Sequence, residues 1–151
     1  MIRKAKIADS KQILDLISSW AKEGKVLERS LNDIYENIRD FWVCVKQDKI
    51  IACCAFDIVG WQDLAEVRSL VVSKTHQGAG IGKSLVKKCI DEAENLGVKR
   101  VFALTFEPNF FKRLGFKNID RKELPHKIWT DCIKCVHFPD CREEAVIISI
   151  K

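Results

Sequence analysis

One stretch of this chain restricts its fold more than any other. Residues 66–96 read as a buried strand, a glycine-rich turn and a long amphipathic helix, joined without a spacer. The strand carries Ala-Glu-Val-Arg-Ser-Leu-Val-Val, the turn is His76-Gln77-Gly78-Ala79-Gly80-Ile81-Gly82, and the helix runs from about Ile81 to Leu96, closed by Gly97. Glycines permit left-handed backbone angles that aim several N–H groups into one concavity, and a helix N-terminus adds a partial positive charge. Such an arrangement suits a pyrophosphate. Two common phosphate loops are excluded by spacing. In the Walker frame Gly82-Lys83-Ser84 fits the end, but Gln77 stands where the first glycine belongs; in the dinucleotide frame Gly78 and Gly80 fit, but Lys83 replaces the third glycine.

The remaining patterning is that of an α/β domain. Residues 2–8 alternate apolar and basic and predict a strand; Asp9-Ser10 supplies a helix N-cap, followed by Ile13, Leu14, Leu16, Ile17 and Trp20 at helical spacing, with Gly24 at the end. Ser30-Leu31-Asn32-Asp33 opens a second helix. Residues 41–45 and 50–58 predict two strands joined by a tight turn. After the long helix come a strand at 100–105, a short helix at 109–114, the turn Gly115-Phe116, an irregular segment at about 124–141 and a last strand at 145–150. No repeat or linker divides the 151 residues, which predict a single domain over 1–151.

The turn Gln77-Gly78-Ala79-Gly80-Ile81-Gly82 fits the acyl-CoA loop pattern [QR]-x-x-G-x-[GA], and it follows a strand ending Leu70-Val71-Val72. Downstream, Asn109-Phe110-Phe111-Lys112-Arg113-Leu114-Gly115-Phe116 looks like a second cofactor motif, an aromatic pair ending in Gly-Phe. On these residues the chain resembles the GNAT acetyltransferases. The resemblance implies a mixed, mostly antiparallel seven-stranded sheet with helices on both faces. It also implies acetyl-CoA as cosubstrate, with Leu70, Val71 and Val72 along the pantetheine arm. Gln77, Gly78, Ala79, Gly80, Ile81, Gly82, Lys83 and Ser84 would hold the pyrophosphate, and Asn109 and Phe111 would lie against the pantetheine tail.

The acceptor is read from the first third of the chain. Val26-Leu27-Glu28-Arg29-Ser30, leading into a helix and Phe41, is similar to the acceptor segment of bacterial N-acetylglutamate synthases. The matching positions for glutamate contact are Leu27 and Arg29, and an arginine fork pairs bidentately with a carboxylate. Arg29 reads equally well as a surface residue beside a helix start; the family match favours the fork. The same resemblance makes Glu66 the general base that takes the proton of the α-ammonium group. A backbone N–H of Leu70 or Val71 would meet the developing oxyanion. Phe111 occupies the place of the tyrosine that many members use as acid, so Thr105 is the candidate proton donor to the leaving thiolate, with helix capping as its other reading. Leu124-Pro125-His126-Lys127 is similar to the substrate-binding step of the synthases and offers Lys127 for a second carboxylate.

The tail departs from the family pattern. Cys132, Cys135 and Cys141 with His137 form C-x2-C-x5-C beside an imidazole, a donor set that suits tetrahedral zinc, against reduced thiols packed in a loop. Cys44, Cys53, Cys54 and Cys89 lie in apolar segments and read as small core residues.

Composition excludes several classes. The formal net charge is +5, but its cations are interleaved with acids and lack the basic stripe with aromatics that nucleic acid requires. No apolar run is long enough to span a bilayer, and none follows the basic N-terminus as a secretory signal would, so a cytoplasmic protein is expected. The leading expectation is therefore direct acetyl transfer to the α-amine of L-glutamate, as in the first step of arginine biosynthesis. The long synthases also carry an arginine-sensing kinase domain, of which these residues hold no counterpart. Rival expectations are a GNAT enzyme for another amino acid, a polyamine or a protein amine, and a non-catalytic acyl-CoA-binding or metal-stabilised module. Pairing through sheet edges makes a homodimer the expected assembly.

Overall fold

A computed structural model describes residues 1–59, 63–124 and 143–150. Seven strands form one sheet in the order β1-β2-β3-β4-β5-β7-β6, where β1 is Ile2–Lys4, β2 Phe41–Lys46, β3 Lys49–Ile58, β4 Leu64–Val72, β5 Arg100–Thr105, β6 Lys117–Asn118 and β7 Glu144–Ser149. The helices are α1 (Ser10–Ala21), α2 (Leu31–Glu36), α3 (Ile81–Leu96) and α4 (Pro108–Lys112). Pairing is antiparallel for β1–β2, β2–β3, β5–β7 and β6–β7, and parallel for β4–β5. This is the mixed, mostly antiparallel seven-stranded α/β sheet that the resemblance implies.

The chain groups into two compact units, Met1–Phe56 with Arg68–Cys89, and Asp57–Val67 with Ile90–Lys151. Strand β4 contributes its first half to the second unit and its second half to the first. In the first unit the apolar stripes of α1 and α2 bury Ile13, Ile17 and Ile34 against Phe41, Val43, Cys53, Ala55 and Val71 of the strands. The second unit packs Val59, Leu64, Phe102, Leu124 and Ala145. Burying an aliphatic or aromatic side chain of this kind contributes roughly 1.5–3 kcal/mol.

Several predicted boundaries agree with the structure to the residue, among them α3 and β5. Gly97 closes α3 at φ +82, with its N–H donating to Glu94 O and that of Val98 to Ala93 O. The β2–β3 hairpin turns on Gln47 and Asp48, both left-handed at φ 51 and 62, which is the primed turn that suits the twist of the strands. One expectation fails at the N-terminus. Asp9 makes no side-chain cap for α1, and β1 stops at Lys4. Its carboxylate instead accepts from both guanidinium Nη atoms of Arg3, at 2.7 and 3.1 Å, and from the Lys6 N–H at 2.7 Å. A charged donor outbids the neutral N–H groups of the helix start, and the chain bends into a short 3-10 turn at Ile7–Asp9.

Candidate active site

The first unit carries both the glycine loop and the predicted acceptor segment. Gly78 and Gly80 adopt φ +82 and +80, and a Cβ at either would meet nothing within 4 Å. The glycines are therefore present for their backbone angles and not for tight packing, and they leave open space at the start of α3, whose 16 residues supply a full helix terminus. Loop residues from Gln77 to Gly80 are exposed, as are Lys83 and Ser84. The Ser84 hydroxyl donates to Gly80 O at 3.1 Å, tying the first turn of α3 back to the loop. Gln77 Nε2 reaches back to Val72 O at 3.4 Å, and the same carbonyl accepts Trp20 Nε1 at 3.2 Å. The end of β4 is thus braced by α1 on one side and by the loop on the other.

Within β4, Ser69 sits at φ 54. A left-handed serine inside a strand costs roughly 1–2 kcal/mol and is a local outlier. It stands immediately before Leu70 and Val71. Two contacts hold it: its carbonyl accepts from the Cys53 thiol at 3.6 Å, and its hydroxyl accepts from Arg29 Nη1 at 3.2 Å. Cys53 is fully buried, and burial pushes its thiol pKa up to about 12, the nearby Arg29 charge lowering it only in part. It stays a neutral thiol at any ordinary pH.

Arg29 itself is 7% exposed, although it is charged and lies outside any helix or strand. Its Nε donates to Asp33 Oδ2 at 2.6 Å, and its Cζ lies 5.0 Å from the centre of the Phe41 ring. Ser30 caps α2 by accepting from the Asp33 N–H at 3.1 Å, which fixes the helix start beside the arginine. Leu27, predicted with Arg29, is half-buried in the same segment.

The second unit carries Glu66, Thr105, Asn109 and Phe111. Glu66 lies on β4 opposite Phe102 of β5, and is 7% exposed. The parallel pairing of β4 with β5 covers Leu64↔Arg100 to Glu66↔Phe102, so Glu66 stands at the last paired position before β4 continues to the Ser69 kink. Thr105, at the end of β5, accepts the Glu107 N–H at 2.8 Å through its Oγ1. It stabilises the turn before α4 and is not the N-cap, a position taken by Glu107. Asn109 is exposed. The Phe111 ring is 4% exposed, set edge-on between Phe110 and Phe116 with centroids 5.1 Å away in both cases. Its ring packs into the core, while Asn109 is exposed and Phe110 half-buried.

Lys127, Cys132, Cys135, His137 and Cys141 lie outside the described residues. Among the described residues no group of three or more His, Cys, Asp or Glu is placed to hold a metal, and no helix is long and apolar enough to cross a membrane.

Sequence reasoning missed Asp33, Asn37, Ser69 and Trp20. A signal existed for two of them: Arg29, Asp33 and Asn37 recur every four residues, the spacing of neighbours on a helix face. Nothing in the sequence marks Ser69 as left-handed, since serine is not a residue that favours that region.

Comparison with known proteins places this geometry. The model of the acetyltransferase (GNAT) family matches residues 11–116. An uncharacterized N-acetyltransferase of Chlorobaculum tepidum is 40% identical over 149 residues, covering 99% of this chain and 96% of that protein. An amino-acid acetyltransferase of Mycobacterium tuberculosis is 37% identical over 124 residues, covering 80% of this chain and 70% of the relative. Among solved structures, N-acetylglutamate synthase from Neisseria gonorrhoeae, complexed with coenzyme A and N-acetylglutamate, superposes with a TM-score of 0.91 at 26% identity; the match takes in 100% of this chain, which spans 35% of that one. Matches of this extent, on a mixed seven-stranded sheet with the glycine loop between β4 and α3, make the chain a member of the acetyltransferase (GNAT) family.

Proposed function

We propose that this domain transfers the acetyl group of acetyl-CoA directly to the α-amine of L-glutamate, releasing N-acetylglutamate and CoA. One observation carries the choice of acceptor. Arg29 is a nearly buried cation on the segment that resembles the synthase acceptor site, and it is held in one orientation. A buried guanidinium is costly unless its donors are used, and an acceptor carboxylate would use the remaining ones. The likeness to a synthase solved with N-acetylglutamate supports the same reading.

Each residue then has a task. The exposed loop from Gln77 to Gly82 would receive the pyrophosphate, its N–H groups and the α3 terminus supplying the positive field, with exposed Lys83 adding charge. Acetyl-CoA supplies the activated acetyl group. Glu66 takes the proton from the α-ammonium nitrogen, which is protonated at neutral pH and cannot attack until it is deprotonated. A backbone N–H of Leu70 or Val71, next to the left-handed Ser69, would receive the carbonyl oxygen as it gains charge. Thr105, whose oxygen accepts the Glu107 N–H, keeps its own proton available for the departing sulfur.

The test is release of free CoA by purified protein with acetyl-CoA, comparing glutamate with the other amino acids and with spermidine. The expected result is a clear preference for glutamate that Arg29→Ala abolishes while acetyl-CoA binding persists. Equal turnover of glutamate and uncharged amino acids, or a preference for spermidine, would reject glutamate as acceptor.

A further inference from the structure

Arg29 is the middle of a chain of contacts within the first unit. Asn37 Nδ2 donates to Asp33 Oδ1 at 2.8 Å and to the Asp33 backbone carbonyl at 2.9 Å; Asp33 Oδ2 accepts Arg29 Nε at 2.6 Å; Arg29 Nη1 donates to Ser69 Oγ at 3.2 Å. The backbone of Asp33 is fixed from the other side by the Ser30 hydroxyl. A guanidinium is planar. Holding Nε, Nη1 and one face against Phe41 therefore leaves its plane no freedom, and Nη2, which makes no hydrogen bond to any described residue, must point in one direction.

From this geometry we infer that Asp33, pinned by Asn37, is the positioning residue that aims the Arg29 fork and so sets the preference for an acceptor with a carboxylate beside its amine. The inference rests on the reading of Arg29 as the acceptor fork. As a bare charge Asp33 works against that preference, since an anion 2.6 Å from the guanidinium reduces its attraction for a second carboxylate. Two facts settle which effect wins. The Asp33 side chain is 41% exposed, so its charge is screened by water and its net electrostatic effect is small. The Arg29 side chain is 4% exposed, so a mis-set plane cannot be corrected by solvent, and a carboxylate would lose the paired donors on which recognition depends. Orientation outweighs competition. Ser69 links the device to the kink in β4, so the residue that receives the acceptor carboxylate also steadies the backbone before Leu70.

The sign of the effect makes the test sharp. Asp33→Asn and Asn37→Ala are assayed with L-glutamate and with isoglutamine, in which the α-carboxylate is an amide. For Asp33→Asn the expected result is a rise of about tenfold in KM for glutamate, the loss of one charge-assisted hydrogen bond. The kcat should change less, KM for acetyl-CoA should hold, and the ratio of glutamate to isoglutamine turnover should collapse. Asn37→Ala keeps the Asp33 charge and should move the same ratio in the same direction, by about threefold. A glutamate KM that falls in Asp33→Asn would show that Asp33 is a competing counter-ion and overturn the inference; so would an unchanged ratio in both variants. If Asp33→Asn does not fold, Asn37→Ala alone decides, with an unchanged ratio counting against the inference. A wild-type protein that does not distinguish glutamate from isoglutamine shows that Arg29 does not read the α-carboxylate and overturns the inference, whereas equal turnover of uncharged amino acids would reject the acceptor reading itself.

Discussion

Buried ionisable side chains are few among the described residues, and each reports on what its surroundings demand. Asp9 is 7% exposed and its carboxyl is held below the ordinary value of 3.8, chiefly by the Arg3 hydrogen bond. A carboxyl whose folded pKa is depressed adds stability above its unfolded pKa and loses it as pH falls through the folded value. Asp9→Asn should therefore cost about 1–3 kcal/mol at pH 7, the worth of a charge-assisted pair, and the deficit relative to wild type should shrink below pH 3.8. Urea midpoints at pH 7 and pH 3 measure this, and an equal deficit at both would refute it. Glu66 is buried for a different reason, at the last position that pairs with β5. As general base its replacement by glutamine should lower kcat about 100-fold or more while acetyl-CoA still binds. Turnover within a few-fold of wild type would remove it from the mechanism. Glu66 was picked out by the family resemblance alone, and what the structure adds is its burial. That Asp9 would answer Arg3 and not α1 was not legible, because an acid before a helix looks the same whichever donor it serves.

At the scale of elements the β4–loop–α3 unit was the most readable part of the chain, and for a physical reason. Local chemistry alone decides it: a largely apolar run for the strand, left-handed glycines for the turn, and a sixteen-residue amphipathic run closed by Gly97. No distant contact has to be guessed. The kink at Ser69 is the opposite case, since a serine at φ 54 is held there by Arg29 and Cys53 from other elements. The glycine loop makes its own prediction. A methyl group at Gly80 would meet nothing within 4 Å, so Gly80→Ala suffers only the left-handed penalty, about 1 kcal/mol of stability. The same methyl would stand in the open space at the start of α3. Acetyl-CoA affinity should therefore fall by more than stability does, read by titration calorimetry beside thermal melts. Unchanged affinity would show that this loop does not receive the cofactor. Gly115 behaves alike: its added Cβ would meet only Ile148 Cδ1, at 3.4 Å, an ordinary contact, so Gly115→Ala is resisted by its φ of +100.

For the whole molecule the strand order was the least legible feature. Consecutive strands usually neighbour one another, yet β7 lies between β5 and β6. Six-residue β7 pairs along all of β5, from Arg100↔Ser149 to Thr105↔Glu144, whereas two-residue β6 can offer only Lys117 and Asn118. The longer apolar partner takes the inner position because it buries more surface and satisfies more backbone groups. The seven-stranded count was implied by the family resemblance and not by any periodicity in the tail. A ligand that binds only the folded state at one hundred times its Kd stabilises by about 2.7 kcal/mol. For a domain of 151 residues that corresponds to a rise in Tm of about 5–10 °C. Acetyl-CoA should produce that shift. Acetylpantetheine, which lacks the pyrophosphate, should produce much less at equal concentration if the loop is the main anchor. Equal shifts would place the binding energy on the pantetheine arm along β4, and no shift with either would contradict acetyl-CoA as the cosubstrate.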